Sequence, residues 1–568
     1  MRRVASTQPL ERGDRVGGFW SLRPGPFLTR GATLLALGIV LLGSAWLLFA
    51  SVHAGLNVFD EGFVATGAML MRQGALPLRD FFSLYGPAQF ALTALAYAAF
   101  GEDLWVSRNL HLAVLVAIGI GCVLAAARLG GSRPGAPWVV AAAWLLFTWR
   151  AAPPPGYAAV TAALLMLGAA GALAWAFAAD APGAARGRLL LASLLLGLVA
   201  LLRWDFGLFC GLALLIAAIG CFQARLPLSR ASLVGWLLMP AVGMVLVGLL
   251  PFIVASGVQR WIDEVVLFYL REFERWRGLE LIGPTLEQAR VGLADRNPWA
   301  LARAALTLLY AGAPPMLAVA VLGWQVRRRW RGQAMQPVDV LAVALALLAL
   351  FTFNQMRVRP GWIQGYPAFV LALPLLACAA RALQQLSAGA RAGLGGSALI
   401  AFVLMPAYVV HGDSRPGWPA PVAPPLARAG GMQAASPAAA VAWADYAAMV
   451  EHVKQLTAPG EPIFSGVTDT SRLFINDAML YFLADRPAAT RWVEMEPGQT
   501  NSERGQRELI GELQRRDVRV LVLWDKRSTE RNATGSSNGV KLFDVFVQQH
   551  YRLDRRFGAY AVMLRTTP

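Results

Sequence analysis

The chain has 568 residues, 57% of them hydrophobic and only 15% charged, with a mean hydropathy of +0.49. Those values exclude an ordinary soluble protein and place the chain among polytopic membrane proteins. The formal net charge of +17 does not indicate a nucleic-acid partner, because most basic residues cluster in short loops between apolar runs, where the positive-inside rule uses them. Arg predominates, with Lys only at Lys454, Lys526 and Lys541, and together with abundant Ala and Gly this usage points to a high-GC bacterial genome. Cys122, Cys210, Cys221 and Cys378 all fall inside apolar segments, so neither a disulfide framework nor a thiolate metal site follows from them.

In chain order, the tail of residues 1–30 carries Arg2, Arg3, Arg12, Arg15, Arg23 and Arg30 and is expected to stay cytoplasmic. Residues 31–52 then stay apolar for roughly the 20 residues a bilayer needs and read as an uncleaved first span. An outer loop, 53–104, contains FDEGFVATGAMLMRQGALPLRDFFSLYGP. Its stretch 86–101 is apolar but short, and is expected to lie in the outer interface. Apolar runs and Arg-bearing loops then alternate over 105–127, 137–149, 157–178, 189–202, 206–222, 231–256, 299–323, 338–353, 362–380 and 394–410. The pattern predicts about eleven spans, every even-numbered one ending at arginines, with the C-terminus outside. In the second large outer loop, 257–298, WIDEVVLFYLREFERW has the periodicity of an amphipathic helix on the membrane surface.

The transmembrane domain so delimited is 31–415, followed by a Pro/Ala/Gly-rich linker, 416–440. Residues 441–568 have a soluble composition, with helices predicted over 441–456, 473–483, 503–516 and 540–549 and strands over 462–466, 519–524 and 558–565. A small α/β domain on the outer side is expected, without nucleophile elbow, P-loop or zinc spacing.

Asp60 and Glu61 stand just outside the first span. Adjacent on a helix, their side chains diverge by about 100°, so one can face a reaction centre while the other orients it or binds a cation. The alternative is a solvated pair at a helix start, with Asp60 as cap. Arg79, Arg108, Arg150, Arg203, Arg357 and Arg359 lie at outer ends of spans, against the positive-inside trend, where a bidentate side chain suits a lipid phosphate. Snorkelling, or pairing with Asp80, Asp103 or Asp205, accounts for each of them singly. Asp80, Tyr85 and Trp362 are candidates for lining a substrate, and Trp149, Tyr157, Trp204 and Tyr366 serve equally as an interfacial aromatic belt. His53 and His111 have no ligand-spaced partners and read as structural.

The order of an outer Asp-Glu after the first span, the step LPLRDFFSLYGP, an apolar helix ending in FG and an Arg entering the next span in WVSRNL resembles the GT-C glycosyltransferases. Protein O-mannosyltransferases and the aminoarabinose transferases of lipid A are the relatives it looks most like, and LYFLADRPAATRW in the outer domain is similar to a recurrent bacterial segment. The resemblance implies a multi-pass enzyme of the bacterial inner membrane with its C-terminal domain in the periplasm. It would move a sugar, with inversion, from a polyprenyl-phosphate donor to a lipid or glycan acceptor on the outer face. Asp60 would then be the base or its organiser, Glu61 its neighbour, and Arg108 the donor-phosphate arginine, with Arg79, Arg203 and Arg357 joining on topology alone. No cofactor is specified, and a divalent metal at the acids stays open. The chain departs from the family pattern in its second outer loop, TWRAAPPPGY, which holds no acid, and in RPGWIQGYP and YGP. Rival readings are a lipid-linked saccharide flippase, disfavoured because charges concentrate at span ends, and an inactive scaffold.

Overall fold

Apolar runs of bilayer length should fold as helices, because only internal hydrogen bonding satisfies the backbone in lipid. The computed structural model describes residues 27–48, 55–131, 133, 135–151, 153–222, 226–383, 402, 426–429 and 442–566. Among them, six helices are long and apolar enough to cross a membrane: Leu104–Gly130, Ala158–Ala176, Pro182–Leu202, Arg230–Ser256, Pro298–Trp330 and Pro337–Val358. Shorter apolar helices accompany them at Arg30–Trp46, Gly135–Thr148, Trp204–Gly220 and Ile363–Ala379. Ten of the eleven expected runs coincide with these helices, six long and four short, and run 394–410 lies outside the described residues except for Phe402. Helix starts follow ordinary capping rules, with Asp103, Ser229 and Asn297 side chains accepting from backbone amides in the first turns. The short helix Pro87–Phe100 has 14 residues, a length of about 21 Å, too little to cross a hydrocarbon core of about 30 Å.

The C-terminal domain holds a four-stranded sheet in the order β1-β2-β4-β3, from Phe464–Val467 (β1), Val520–Trp524 (β2), Tyr551–Phe557 (β3) and Tyr560–Arg565 (β4). β1 runs parallel to β2, and the other neighbours are antiparallel. The central strand β2, VLVLW, is buried along its whole length, as its uninterrupted apolar run predicts. β3 is a correction. In its sequence YRLDRRF the alternation of Tyr551, Leu553 and Phe557 is broken by Arg555, and it pairs as an exposed edge strand. The helix predicted over 473–483 shrinks to Met479–Ala484, preceded by an extended segment.

Two further expectations are corrected by packing. The stretch read as a membrane-surface helix is helical from Val258 to Arg277, with a π turn over Ile262–Leu267, but its aromatic face meets protein. A Cβ at Gly498 would stand 2.4 Å from Trp276 and 2.9 Å from Phe268. Within the expected linker, Leu426–Ala429 is ordered, and Arg428 pairs with Glu102 and Asp485 at 2.9 and 3.0 Å. The hydrophobic core also ignores the expected domain boundary. Leu56, Val58, Phe63 and Met69 of the first outer loop share one cluster with Tyr446, Met479, Val522 and Trp524 of the C-terminal domain.

Candidate active site

The site is built where the helix Asp60–Arg72 meets the C-terminal domain. Gly62 allows that contact, since a Cβ there would lie 2.5 Å from the Met479 backbone nitrogen. The Thr66 hydroxyl donates to the Ala478 carbonyl at 2.7 Å, and the Ala478 amide donates to Val58 O at 3.2 Å. From the other side, Gly156 (φ +88°) brings the turn before the helix Ala158–Ala176 against the Asp60 carbonyl. Gly86 seats the YGP step on the end of the helix Pro182–Leu202: its amide donates to Leu202 O at 2.9 Å, and a Cβ would lie 2.0 Å from Leu201 O. Pro87 then starts the next helix at a position where a missing N–H costs nothing.

These contacts bring Asp60, Tyr85, Tyr157 and Arg203 together. The Tyr85 hydroxyl donates to Asp60 Oδ1 at 3.1 Å. Asp60 remains half-buried. Burial raises its carboxyl above the ordinary aspartate range, against the lowering by the Tyr85 hydrogen bond and the Arg277 and Arg359 charges. Burial, and next the Asp60 charge, raises Tyr85 well above the usual phenol range, so Tyr85 keeps the proton it donates. Arg203 forks onto Asp205 at 2.6 and 3.0 Å, and the Tyr269 hydroxyl donates to the same carboxylate at 3.1 Å. With the Gln355 amide turned to suit its neighbours, its oxygen accepts from Arg203 at 2.5 and 2.7 Å and its nitrogen faces the Tyr157 hydroxyl, 3.3 Å away.

The remaining expected site residues are placed differently. Glu61 is buried and bound bidentately by Arg108 at 2.6 and 2.8 Å, Arg108 also donating to Gly55 O at 3.2 Å. The pair therefore anchors the base of the Asp60 helix, and Arg108 points its fork at Glu61. Arg79 and Asp80 pair with each other at 2.6 and 2.8 Å on the surface, Asp80 also accepting from the Leu76 amide, and their bonds do not run to Asp60. Arg357 is exposed and bound to Glu274 at 3.0 and 3.1 Å. Trp362 begins a helix, and its side chain lies outside the described residues.

Sequence reasoning missed the wall contributed by the C-terminal domain. Arg277, buried, forks onto Glu496 at 2.9 and 3.0 Å and donates to Phe474 O at 3.0 Å. Arg359, already among the arginines expected at outer span ends, pairs with Glu530 and donates to Arg277 O at 2.9 Å. Glu494 lies within reach of the charges of Glu496 and Arg277. Burial, then the neighbouring Glu496 and the charge of Asp60, push its carboxyl well above the ordinary glutamate range, against the pull of Arg277. The signal for this wall was the acid alternation in RWVEMEP, glutamates embedded in an otherwise apolar run. Among the described residues, no group of three or more His, Cys, Asp or Glu is placed to hold a metal ion.

Neither a protein-family model nor a curated protein sequence matches the chain significantly. Solved structures do. ArnT from Cupriavidus metallidurans bound to undecaprenyl phosphate superposes with a TM-score of 0.50 at 14% identity, covering 94% of this chain and 98% of that one. The apo state of the same protein gives 0.51 at 15% identity, with 94% and 97% covered. The chain has the GT-C fold. The likeness covers the membrane helices and the C-terminal domain alike.

Proposed function

We infer that the chain is a glycosyltransferase of the bacterial inner membrane, moving a sugar from a polyprenyl-phosphate donor to a hydroxyl of a cell-envelope lipid or glycan on the outer face. One observation carries the reading. Among the described residues, every other acid of the first outer loop is engaged: Glu61 by Arg108, Asp80 by Arg79, Glu102 by Arg72 and Arg428, and Asp103 as a cap on the Trp105 amide. Asp60 has no ion-pair partner there, is held by Tyr85, and stays partly exposed. A partly desolvated carboxylate with a raised pKa is a stronger base than an ordinary one and suits removal of a hydroxyl proton in the transition state. The fold likeness to ArnT, whose structure holds undecaprenyl phosphate, supports a lipid-phosphate donor.

Of the four arginines proposed from sequence, Arg203 is the one whose surroundings favour the donor phosphate. It is buried beside Tyr157 and Gln355, and its charge is felt at Tyr85. Attack by the acceptor oxygen on the side of the anomeric carbon away from the phosphate would invert the sugar, with Arg203 steadying the leaving group.

The test combines cells and purified protein. Mass spectrometry of envelope glycans from a strain lacking the chain should show a lost sugar, restored by the wild-type chain. Asp60→Asn should bind undecaprenyl phosphate normally and fail to restore the sugar, since loss of a general base costs about 100- to 10,000-fold in rate. Restoration by Asp60→Asn would sink the mechanism.

A further inference from the structure

Three tyrosine hydroxyls stand around Asp60 and Arg203, and two of them have given their hydrogens away. Tyr85 donates to Asp60 at 3.1 Å and Tyr269 to Asp205 at 3.1 Å. Tyr157 differs. Its oxygen lies 3.3 Å from the Gln355 amide. Because the Gln355 oxygen accepts from Arg203 at 2.5 and 2.7 Å, the group facing Tyr157 is the amide nitrogen, a donor. The Tyr157 oxygen therefore accepts, and among the described residues no acceptor stands at hydrogen-bond distance for its own hydrogen. Arg203 is nearly used up in the same way. Of the five N–H groups of a guanidinium, two go to Asp205 at 2.6 and 3.0 Å and two to the Gln355 oxygen. One N–H is left, on a side chain whose plane also lies over the Phe206 ring at 4.5 Å. Backbone contacts fix Tyr157 from the other side. A Cβ on Gly156 would stand 3.0 Å from the Asp60 carbonyl and 3.1 Å from Val64, and the Tyr157 amide donates to Pro154 O at 3.2 Å. The turn thus carries Tyr157 between the start of the Asp60 helix and Arg203, at the end of the acid-free segment TWRAAPPPGY.

We propose that Tyr157 is a contact for the donor phosphate, its O–H donating to a phosphate oxygen beside the remaining N–H of Arg203. This rests on the transferase reading above. A single N–H cannot grip a phosphate bidentately, so Arg203 needs a second donor, and Tyr157 supplies it from the far side of the Gln355 amide. A neutral O–H attracts the phosphate, whereas a carboxylate at this position would repel it. When the carbon–oxygen bond to the phosphate breaks, its electron pair stays on the phosphate oxygen. The hydrogen bond from Tyr157 strengthens as that charge gathers, and Tyr157 keeps its proton throughout. Gln355 is then a positioning residue, because its amide orients both donors at once.

Lipid binding by the full chain in nanodiscs, read by native mass spectrometry, provides the test. Two probes are titrated separately: undecaprenyl phosphate, and undecaprenol, which has the same chain and no phosphate. Wild type should prefer undecaprenyl phosphate. Tyr157→Phe should bind it about 10- to 100-fold more weakly, the worth of a hydrogen bond to a charged group, and should bind undecaprenol as before. Loss of packing alone would weaken both lipids together. Wild-type affinity of Tyr157→Phe for undecaprenyl phosphate overturns the proposal, and so does an equal loss of both lipids. Should Tyr157→Phe fail to insert, Gln355→Glu carries the test. Its carboxylate still accepts from Arg203 but also takes the Tyr157 hydrogen, so undecaprenyl phosphate should bind about 10-fold more weakly or worse, with undecaprenol unchanged. Unaltered binding of undecaprenyl phosphate by Gln355→Glu overturns the proposal as well. A wild-type chain that does not distinguish the two lipids removes the lipid-phosphate donor reading and this contact with it. Transfer retained by Asp60→Asn removes the base alone, and the preference between the two lipids still decides for or against Tyr157.

Discussion

At the scale of single residues, the buried pair Glu61–Arg108 behaves as structure. Removing one partner of such a pair strands the other charge, which typically costs about 3 to 5 kcal/mol. Arg108→Ala should therefore lower the yield and the unfolding temperature of the purified protein, and Glu61→Gln with Arg108→Gln should recover much of the loss. A variant Arg108→Ala that melts like wild type but binds undecaprenyl phosphate weakly would return Arg108 to the phosphate site. Asp60 and Tyr85 were both legible as candidates, because an acid beside a span end and a Tyr-Gly-Pro turn stand out in an apolar sequence. Which of the two adjacent acids would be neutralised was not legible, since that depends on where the Arg108 fork reaches.

Among elements, the junctions depend on glycines whose missing side chains let backbones touch. Gly62→Ala places a methyl against the Met479 backbone, which cannot yield as a flexible side chain could. Such overpacking typically costs about 1 to 3 kcal/mol. Gly62→Ala should loosen the helix Met479–Ala484 from the helix Asp60–Arg72, seen as faster hydrogen exchange in both, and should reduce transfer while the membrane helices stay intact. Unchanged exchange across that contact would show that the junction tolerates the methyl. The helices themselves were legible from hydropathy, because span length and loop charge are local properties. The surface that the helical segment from Val258 to Arg277 packs on was not, since its amphipathic pattern fits a lipid surface and a protein surface equally well, and only Gly498 and its neighbours show which one covers it.

For the whole molecule, the expected topology puts the C-terminal domain and the first outer loop on one side and the arginine-rich loop after the helix Pro298–Trp330 on the other. All four native cysteines are buried, so introduced ones report cleanly. Cysteine at exposed Ser536 should label with a membrane-impermeant maleimide in intact cells, and cysteine at exposed Gln333 should label only after permeabilisation. Labelling of Gln333 from outside would invert the charge-based topology. The shared core of the outer loop and the C-terminal domain further implies that the two unfold together.

By itself the sequence determined the membrane class, the run of helices, the C-terminal domain with its buried central strand, and the position of Asp60 beside the first span. Each follows from the composition and period of a short window, where the cost of exposing apolar groups or leaving backbone groups unpaired is set locally. Only the tertiary structure decided which charges cancel. Arg277 meets Glu496 across 219 residues and Thr66 meets Ala478 across 412. Pairing of charges depends on distance in space and on the water excluded between them, and neither quantity is written in the order of the residues.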